Sequence, residues 1–500
     1  MTAPDRARDM LKKNFNISSG LLIACAALLA LGGYLLASGA KGGFGFPLDD
    51  AWIHQTYARN LALRCEWAFL PGSPSAGSTS PLWTVLLAPG YLLRLAPQAW
   101  TYLLGWAALC ALGWLGERIS RLVLPAPRGA LPWIGLFLAG EWHLVWAAGA
   151  GMETVLYAGV ILAVFWLLAR RPCRPVLAGL VCGATVWVRP DGLTLLGPVF
   201  FVIGLSATGW KARWRGLAEA AGGFLIGFLP YLVFNQALGG AWWPNTFYAK
   251  QAEYAVLQQV PYLERLAQQA ALPLVGAGIV LIPGFLAAAW VSVKERQWLV
   301  LAAGLWWAGF TAIYAAALPV EYQHGRYLIP AMPVFYTVGL IGTLRLLGQI
   351  KRAQLQRLMR FACLMLTGLI WAAFLLQGAL VYQEDVAIIQ TEMVAAAQWI
   401  AQNTPADALI AAHDIGALGY FGNRQILDLA GLISPEVIPF IRDETHLAVY
   451  LDQRNAAYLM TFPKWYPLLT QRGPIQFVTR GTVAPGAGGE NMTIYRWVKP

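Results

Sequence analysis

Apolar blocks about 20 residues long recur every 20 to 40 residues from position 20 to about 382, and no other feature restricts the fold of this chain as strongly. A helix needs roughly 20 apolar residues to cross about 30 Å of hydrocarbon, and inside lipid it must satisfy its own backbone hydrogen bonds. The expected fold class is therefore a polytopic α-helical membrane protein. Only 12% of residues are charged, 58% are hydrophobic and the mean hydropathy is +0.53. A soluble chain carries about 25% charged residues.

The last 118 residues differ, alternating polar and apolar positions with 8 basic and 11 acidic groups. Residues 1–382 carry +14 and the tail −3 of the total +11, so the basic balance belongs to the membrane part and requires no nucleic-acid partner. The division expected is a transmembrane domain at 1–382, with a first external loop at 41–99, and a soluble α/β domain at 383–500. The tail pattern predicts helices at 392–403 and 446–454 and strands near 408–412, 425–429, 456–461 and 492–497. The six cysteines form no disulfide framework or metal pattern, and the tail has none.

Eleven spans are expected, near 20–39, 100–116, 131–150, 154–169, 176–188, 193–208, 217–235, 272–291, 298–318, 327–345 and 361–382. The N-terminus also has the pattern of a signal peptide, with Arg6, Arg8, Lys12 and Lys13 before an apolar run and Ser38-Gly39-Ala40 after it; a first transmembrane helix is the preferred reading. The stretch 81–95 reads as a juxtamembrane or re-entrant helix. With the N-terminus cytoplasmic, six basic clusters (Arg6–Lys13, Arg118–Arg128, Arg170–Arg174, Lys211–Arg215, Lys294–Arg296 and Arg345–Arg360) fall inside. Of the Lys and Arg in 1–382, 20 are then inside and 8 elsewhere, the expected cytoplasmic bias. A twelfth span would send the later clusters alternately to the wrong side. The tail then lies outside the cytoplasm.

This map puts the unusual polar strings on the outer face: FPLDDAWIHQTYARNLA (46–62), AGMETVLY (150–157), VRPDG (188–192), GGAWWPNTFYAK (239–250) and EYQHGRYLIP (321–330). Asp49 and Asp50 are candidates for a general base, because like charge and partial burial raise a carboxylate pKa. Helix capping is the simpler role for one of them. His54, four residues after Asp50, shares its helical face, and the two can hold a divalent cation such as Mg or Mn, or simply hydrogen-bond. Arg59, Glu153, Asp191 and Asn245 are candidate substrate-binding residues, with interfacial anchoring or capping as alternatives. Arg189, Lys250 and Arg326, with Tyr248 and His324 as further donors, are candidates for binding a phosphate; snorkelling and an aromatic belt are the plainer readings. Glu141 and His143 lie within an expected span and either serve function or pair locally. In the tail, DIGALGY is no dinucleotide fingerprint, and His413, Asp414 and Asp428 are read as turn residues ahead of catalytic ones.

Taken in order, FPLDDAWIHQTYARNLA, STSPLWTVLLA, AGMETVLYA, VRPDG, WPNTFYAK and HGRYLIP resemble the GT-C class of membrane glycosyltransferases, in particular bacterial enzymes related to the mycobacterial terminal arabinofuranosyltransferase. Protein O-mannosyltransferases and the lipid A aminoarabinose transferase are more distant members of that resemblance. It implies a polyprenyl-phosphate sugar donor and inverting transfer to a polysaccharide, glycolipid or protein acceptor outside the cytoplasm. The implied base is an acidic residue of the first loop, here Asp49 or Asp50. The expected location is the plasma membrane, multi-pass. HQT at 54–56 and SAGSTS at 75–80 depart from the familiar strings, so the sugar is not carried over. A lipid-linked-sugar transporter or flippase is the rival from another class, and a non-catalytic scaffold a third.

The charge distribution fixes a first test. A cysteine introduced into the tail is expected to react with an impermeant thiol reagent in intact cells, whereas one near residue 352 stays unlabelled; labelling at 352 would invert the map.

Overall fold

Most of the expected spans are helices, but they are not equally long. The computed structural model describes residues 3–124, 130–170 and 172–499, with side chains described from residue 18 onward. The side chains of Arg6, Arg8, Lys12 and Lys13, and residues Arg128 and Arg171, therefore lie outside the described residues. Among the described residues seven helices are long and apolar enough to cross a membrane: Ser18–Lys41, Pro97–Val123, Trp210–Gly239, Ala277–Lys294, Trp298–Ala317, Tyr322–Gly348 and Ala353–Asn403. The apolar stretches expected as spans near 154–169, 176–188 and 193–208 are helical too, but shorter than 18 residues. Pro175 opens one of these helices, and the Arg189-Pro190 step breaks the chain between the next two. The stretch expected as a juxtamembrane helix forms Pro81–Leu92, 12 residues long.

The span expected at 131–150 is two short helices, Trp133–Ala139 and Trp142–Gly149. A Cβ on Gly140 would lie 2.1 Å from Trp371 Cζ2, so the chain breaks where the long C-terminal helix crosses it. Glu141 then takes an extended backbone, and its carboxylate accepts from the Leu144 amide to cap the second half. The same carboxylate accepts from His143 Nδ1 at 2.8 Å and Tyr336 at 3.3 Å. Close helix contacts elsewhere use small residues. On helix Pro175–Ala184 a Cβ at Gly179 would lie 2.0 Å from the Ala220 carbonyl, and one at Gly183 2.2 Å from that of Phe224. Gly223, on the partner helix, makes the reciprocal approach to Val176.

In the tail five strands form one mixed sheet, in the order Gln425–Asp428, Leu409–Ala412, Tyr458–Thr461, Thr493–Arg496, Ile475–Val478. The first three are parallel; the last two join antiparallel. Helix Glu444–Arg454 packs beside the sheet. No flexible linker precedes the tail. Residues 353–403 form one helix, interrupted only by a wide turn at Gln390–Val394, and the boundary expected at 382 falls inside it. At that turn Glu392, fully buried, accepts from the Met492 amide at 2.9 Å and from the Thr479 hydroxyl, pinning the sheet to the helix.

The loop that follows the first helix shares a hydrophobic core with the tail. Phe46, Trp52, Ile53, Tyr57 and Phe69 pack with Ile400, Ile410, Ile415, Leu418 and Ile494. The Trp52 ring lies 4.8 Å from Tyr420 and 4.7 Å from Phe421. The first loop and the tail thus fold on each other across one end of the helices.

Candidate active site

Asp49 and Asp50 point in different directions because one ends the loop and the other opens helix Asp50–Arg64. Asp49 makes no side-chain cap to that helix. Both its oxygens instead accept from tail amides, Gly416 N at 2.7 Å and Ala417 N at 2.8 Å. Gly416 permits the approach, since a Cβ there would sit 2.0 Å from the Asp49 carbonyl; one on Gly419 would sit 2.1 Å from Phe69 Cζ. The glycines of DIGALGY are therefore docking positions. Arg59 adds to the seam, donating to the Tyr420 carbonyl at 2.9 Å with its guanidinium 4.5 Å from the Tyr420 ring. Asn245 donates to the Leu432 carbonyl at 3.2 Å and ties helix Asn245–Glu253 to a tail loop.

Asp50 faces the membrane-side helices. Its Oδ2 lies 2.7 Å from Arg326 Nη2 and 3.6 Å from Lys250 Nζ. Lys250 and Arg326 both also donate to the Tyr327 hydroxyl, at 2.8 and 2.9 Å. Burial pushes the Asp50 carboxyl up, but the Lys250 and Arg326 charges outweigh it and hold the group well below the usual carboxylate range. Asp49 differs: burial and the neighbouring charges of Asp414 and Asp50 push it up to about 8, against the pull of its two amide donors.

Arg326 is aimed by a strained turn. Gln323, His324 and Gly325 have φ of +55°, +60° and +65°, two of them without glycine's freedom. His324 anchors this turn to the long helix through Asp385, 2.8 Å from its Nε2, and Asp385 also accepts from Trp146 at 2.9 Å. His324 is thus a positioning residue for Arg326 and lines neither cavity described below; Tyr248 packs on Phe247 and lines neither as well.

A second charged chain lies beside the first. Arg189 Nη1 meets Glu153 Oε1 at 2.9 Å, and its Nε meets Asp191 Oδ1 at 3.2 Å. Tyr314 donates to Asp191 Oδ2 at 2.8 Å. The other Glu153 oxygen lies 3.5 Å from His54 Nε2. Burial lowers the His54 pKa, only partly opposed by the Glu153 and Asp50 charges. A divalent cation does not fit Asp50 and His54. Two cations already meet the carboxylate, and the ring nitrogens of His54 face Glu153 on one side and the Ser78 and Thr84 hydroxyls, at 3.4 Å, on the other. Among the described residues no group of three His, Cys, Asp or Glu could hold a metal.

Two cavities meet at Asp50. One, of about 330 Å³, is mostly apolar, walled by Leu193, Phe247, Ile313 and Leu318, with Arg189, Asp191 and Tyr314 at its polar end. The other, of about 720 Å³, lies between the membrane part and the tail and is lined by Asp49, Glu253, Asp385, His413 and Asp414. Asp50, Lys250 and Arg326, with Ile53 and Leu432, line both. Tyr314, Tyr327, Glu253, His413 and Asp414 were not singled out as site residues by sequence. HGRYLIP contains Tyr327 beside Arg326, and His413-Asp414 directly follows a strand, so both had a signal.

Comparison with solved structures bears on the fold that carries this site. The chain shares its overall fold with solved membrane proteins to which it is only 11–14% identical. It is similar to ArnT from Cupriavidus metallidurans bound to undecaprenyl phosphate, with 13% identity, a TM-score of 0.53, and 95% of this chain and 97% of that one covered. The apo state of the same ArnT gives 14% identity and a TM-score of 0.56, over the same shares. The archaeal oligosaccharyltransferase AglB from Archaeoglobus fulgidus, in complex with an inhibitory peptide and a dolichol-phosphate, gives 11% identity and a TM-score of 0.53, covering 94% of this chain and 75% of that one. Residues 382–495 match a family described as a domain of unknown function, DUF8728. No curated protein matches.

The two adjacent aspartates should separate experimentally. Asp49→Asn keeps one acceptor oxygen for two amides and sets an NH2 group against the other, and a buried donor left unsatisfied costs about 1–3 kcal/mol. Asp49→Asn is expected to lower the thermal midpoint and expose the tail to limited proteolysis, while Asp50→Asn leaves both near wild type. Because the docked carboxyl of Asp49 is raised from an ordinary value of about 4 to about 8, the docked state binds its proton more tightly than the undocked one. Docking should therefore weaken as pH rises through that window. Proteolysis rates that are flat between pH 5 and 8 would remove this linkage.

Proposed function

We propose that the protein is an inverting glycosyltransferase that moves a sugar from a polyprenyl-phosphate donor to an acceptor on the outer face of the plasma membrane. The observation that carries this reading is the shared wall. The Asp50 carboxylate, paired with Lys250 and Arg326, stands where an apolar cavity meets a polar one. In this reading the apolar cavity takes the first isoprenoid units, and Lys250 and Arg326, with Arg189 nearby, take the donor phosphate. The acceptor enters the polar cavity. The N-terminus is cytoplasmic, residues 1–382 hold the donor site, and residues 383–500 close the outer side.

The chemistry follows from the geometry. The acceptor hydroxyl oxygen bonds to the anomeric carbon as the bond from that carbon to the phosphate oxygen breaks. The electron pair leaves with the lipid phosphate, where fixed cations in a low-dielectric site stabilise the growing charge. Asp50 takes the hydroxyl proton. In the free protein Asp50 is a poor base, since Arg326 and Lys250 hold it well below the ordinary range. Donor phosphate competes for those same two cations, so loading the donor releases the carboxylate and raises its basicity. Glu141 and His143 pair with each other at 2.8 Å instead of lining either cavity, which favours an enzyme over a flippase.

Proteoliposomes carrying a labelled polyprenyl-phosphate sugar test the reading: sugar transfer supports it, and lipid movement without transfer would replace it with a flippase. A general base contributes about 10²–10⁴-fold, so Asp50→Asn should lower turnover at least 100-fold. Arginine binds phosphate through a planar fork and lysine as a point charge; Arg326→Lys should therefore weaken donor binding more than Lys250→Arg does. Activity requires ionised Asp50 and is lost as pH falls through its pKa. The acid limb of kcat, which reports the loaded enzyme, should lie at higher pH than that of kcat/KM for donor. Coincident limbs would mean that donor binding leaves the Asp50 ion pairs intact.

A further inference from the structure

The tail presents one edge of its sheet to the polar cavity. Three of its strands are parallel, Gln425–Asp428, Leu409–Ala412 and Tyr458–Thr461, and the residues that follow each line the cavity. His413 and Asp414 follow one strand, Ala430 and Leu432 another, and Trp465 and Tyr466 the third. The carboxyl ends of parallel strands are where open α/β sheets bind ligands, because the loops there converge and the backbone turns away from its ladder.

The side chains at that edge are ordered as a recognition site. His413 is fixed from both sides, Nδ1 to the Tyr466 hydroxyl at 2.7 Å and Nε2 to Glu253 Oε1 at 3.1 Å. Glu253 belongs to the helix that carries Lys250, so the tail and the Asp50 centre are held to the same helix. Asp414 is different: its Oδ2 is buried without a hydrogen-bond partner. An unpartnered carboxylate oxygen is costly to bury and needs a donor. Burial and the facing charges of Asp50 and Glu253 raise the Asp414 carboxyl to about 6, against His413 and Lys250. Trp465 stands edge-on to His413 at 5.2 Å and is 49% exposed, leaving an aromatic surface open.

We propose that the tail carries the acceptor-binding site and that the acceptor is a carbohydrate, its hydroxyls donating to Asp414 and Glu253 and its apolar C–H face resting on Trp465. This rests on the transferase reading above, and it adds the substrate class and the residues that select it. A free acceptor oxygen, a second carboxylate and an aromatic plane suit a ligand that is dense in O–H donors and carries one apolar face. A lipid tail would bury Asp414 against hydrocarbon and leave it unpaired. Asp414 is a positioning residue here: it holds the acceptor so that the attacking hydroxyl reaches Asp50, which takes the proton.

The site can be tested without donor. Saturation-transfer NMR on the solubilised full chain, with a panel of methyl hexosides and methyl pentosides and a short polar peptide, reads binding alone. At least one glycoside is expected to receive saturation, the peptide none. Asp414→Asn and Trp465→Ala should each weaken glycoside binding about tenfold or more, as expected for a hydrogen bond to a charged group and for a stacked ring. Asp414→Asn keeps the side-chain shape, and Trp465 is half exposed, so both variants retain the fold. No glycoside binding, equal binding in both variants, or saturation of the peptide instead would each overturn the proposal. If glycoside binding depends on Asp414 but no polyprenyl-phosphate sugar is turned over, the transferase reading fails and the carbohydrate site stands. If transfer occurs while both variants keep the wild-type KM for acceptor, the reverse holds.

Discussion

Two hydrogen bonds between chain segments 367 and 368 residues apart determine how this molecule is put together: Asp49 receives the amides of Gly416 and Ala417. A carboxyl group accepting from two backbone N–H groups inside a buried seam sets both distance and orientation, and it leaves little room for sliding. Around it Trp52 packs on Tyr420 and Phe421, and Arg59 covers the Tyr420 ring. The polar cavity exists because this seam holds the tail over the helix ends. It also turns the neighbouring Asp50 the other way, towards Lys250 and Arg326.

Charge balance explains how so many acidic and basic side chains gather in one place. Asp50, Glu153 and Asp191 face Lys250, Arg326 and Arg189 in contacts of 2.7 to 3.6 Å. Buried charges are tolerated when each is paired and hydrogen-bonded, and removing one partner leaves an uncompensated ion. In the proposed reaction the lipid phosphate gains one negative charge as Asp50 loses one by taking a proton. The sum over the site is then the same before and after transfer, so the surrounding dipoles need little rearrangement.

Much of this was readable from residues alone, and the failures have physical causes. Apolar runs located the helices because lipid leaves backbone groups no other partner. The same runs could not tell that 131–150 breaks at Gly140, because the cause is the ring of Trp371 more than 200 positions away. Strand Ile475–Val478 escaped because it is a short edge strand, largely exposed and without alternation. In the candidate site, two adjacent aspartates were recognisable as unusual, yet their division of labour depends on Gly416 and Arg326, which the fold alone brings to them. His413 and Asp414 looked like ordinary turn residues because a strand end facing a cavity and one facing water read alike in a single sequence.

The continuous helical run Ala353–Asn403, widened only at Gln390–Val394, makes the tail a part keyed by rotational phase. Each residue of an α-helix advances the chain by 1.5 Å and turns it by about 100°. One residue added between the last membrane turn and the sheet would swing Asp414 and Trp465 around the helix axis, away from Asp50, with every local fold intact. Adding about seven residues, two turns, would restore the facing but lift the tail roughly 10 Å off the seam. Exchange of tails among proteins of this architecture is therefore constrained by arithmetic modulo one helical turn. A change of length within residues 353–403 thus disturbs the site more than the same change in an exposed loop.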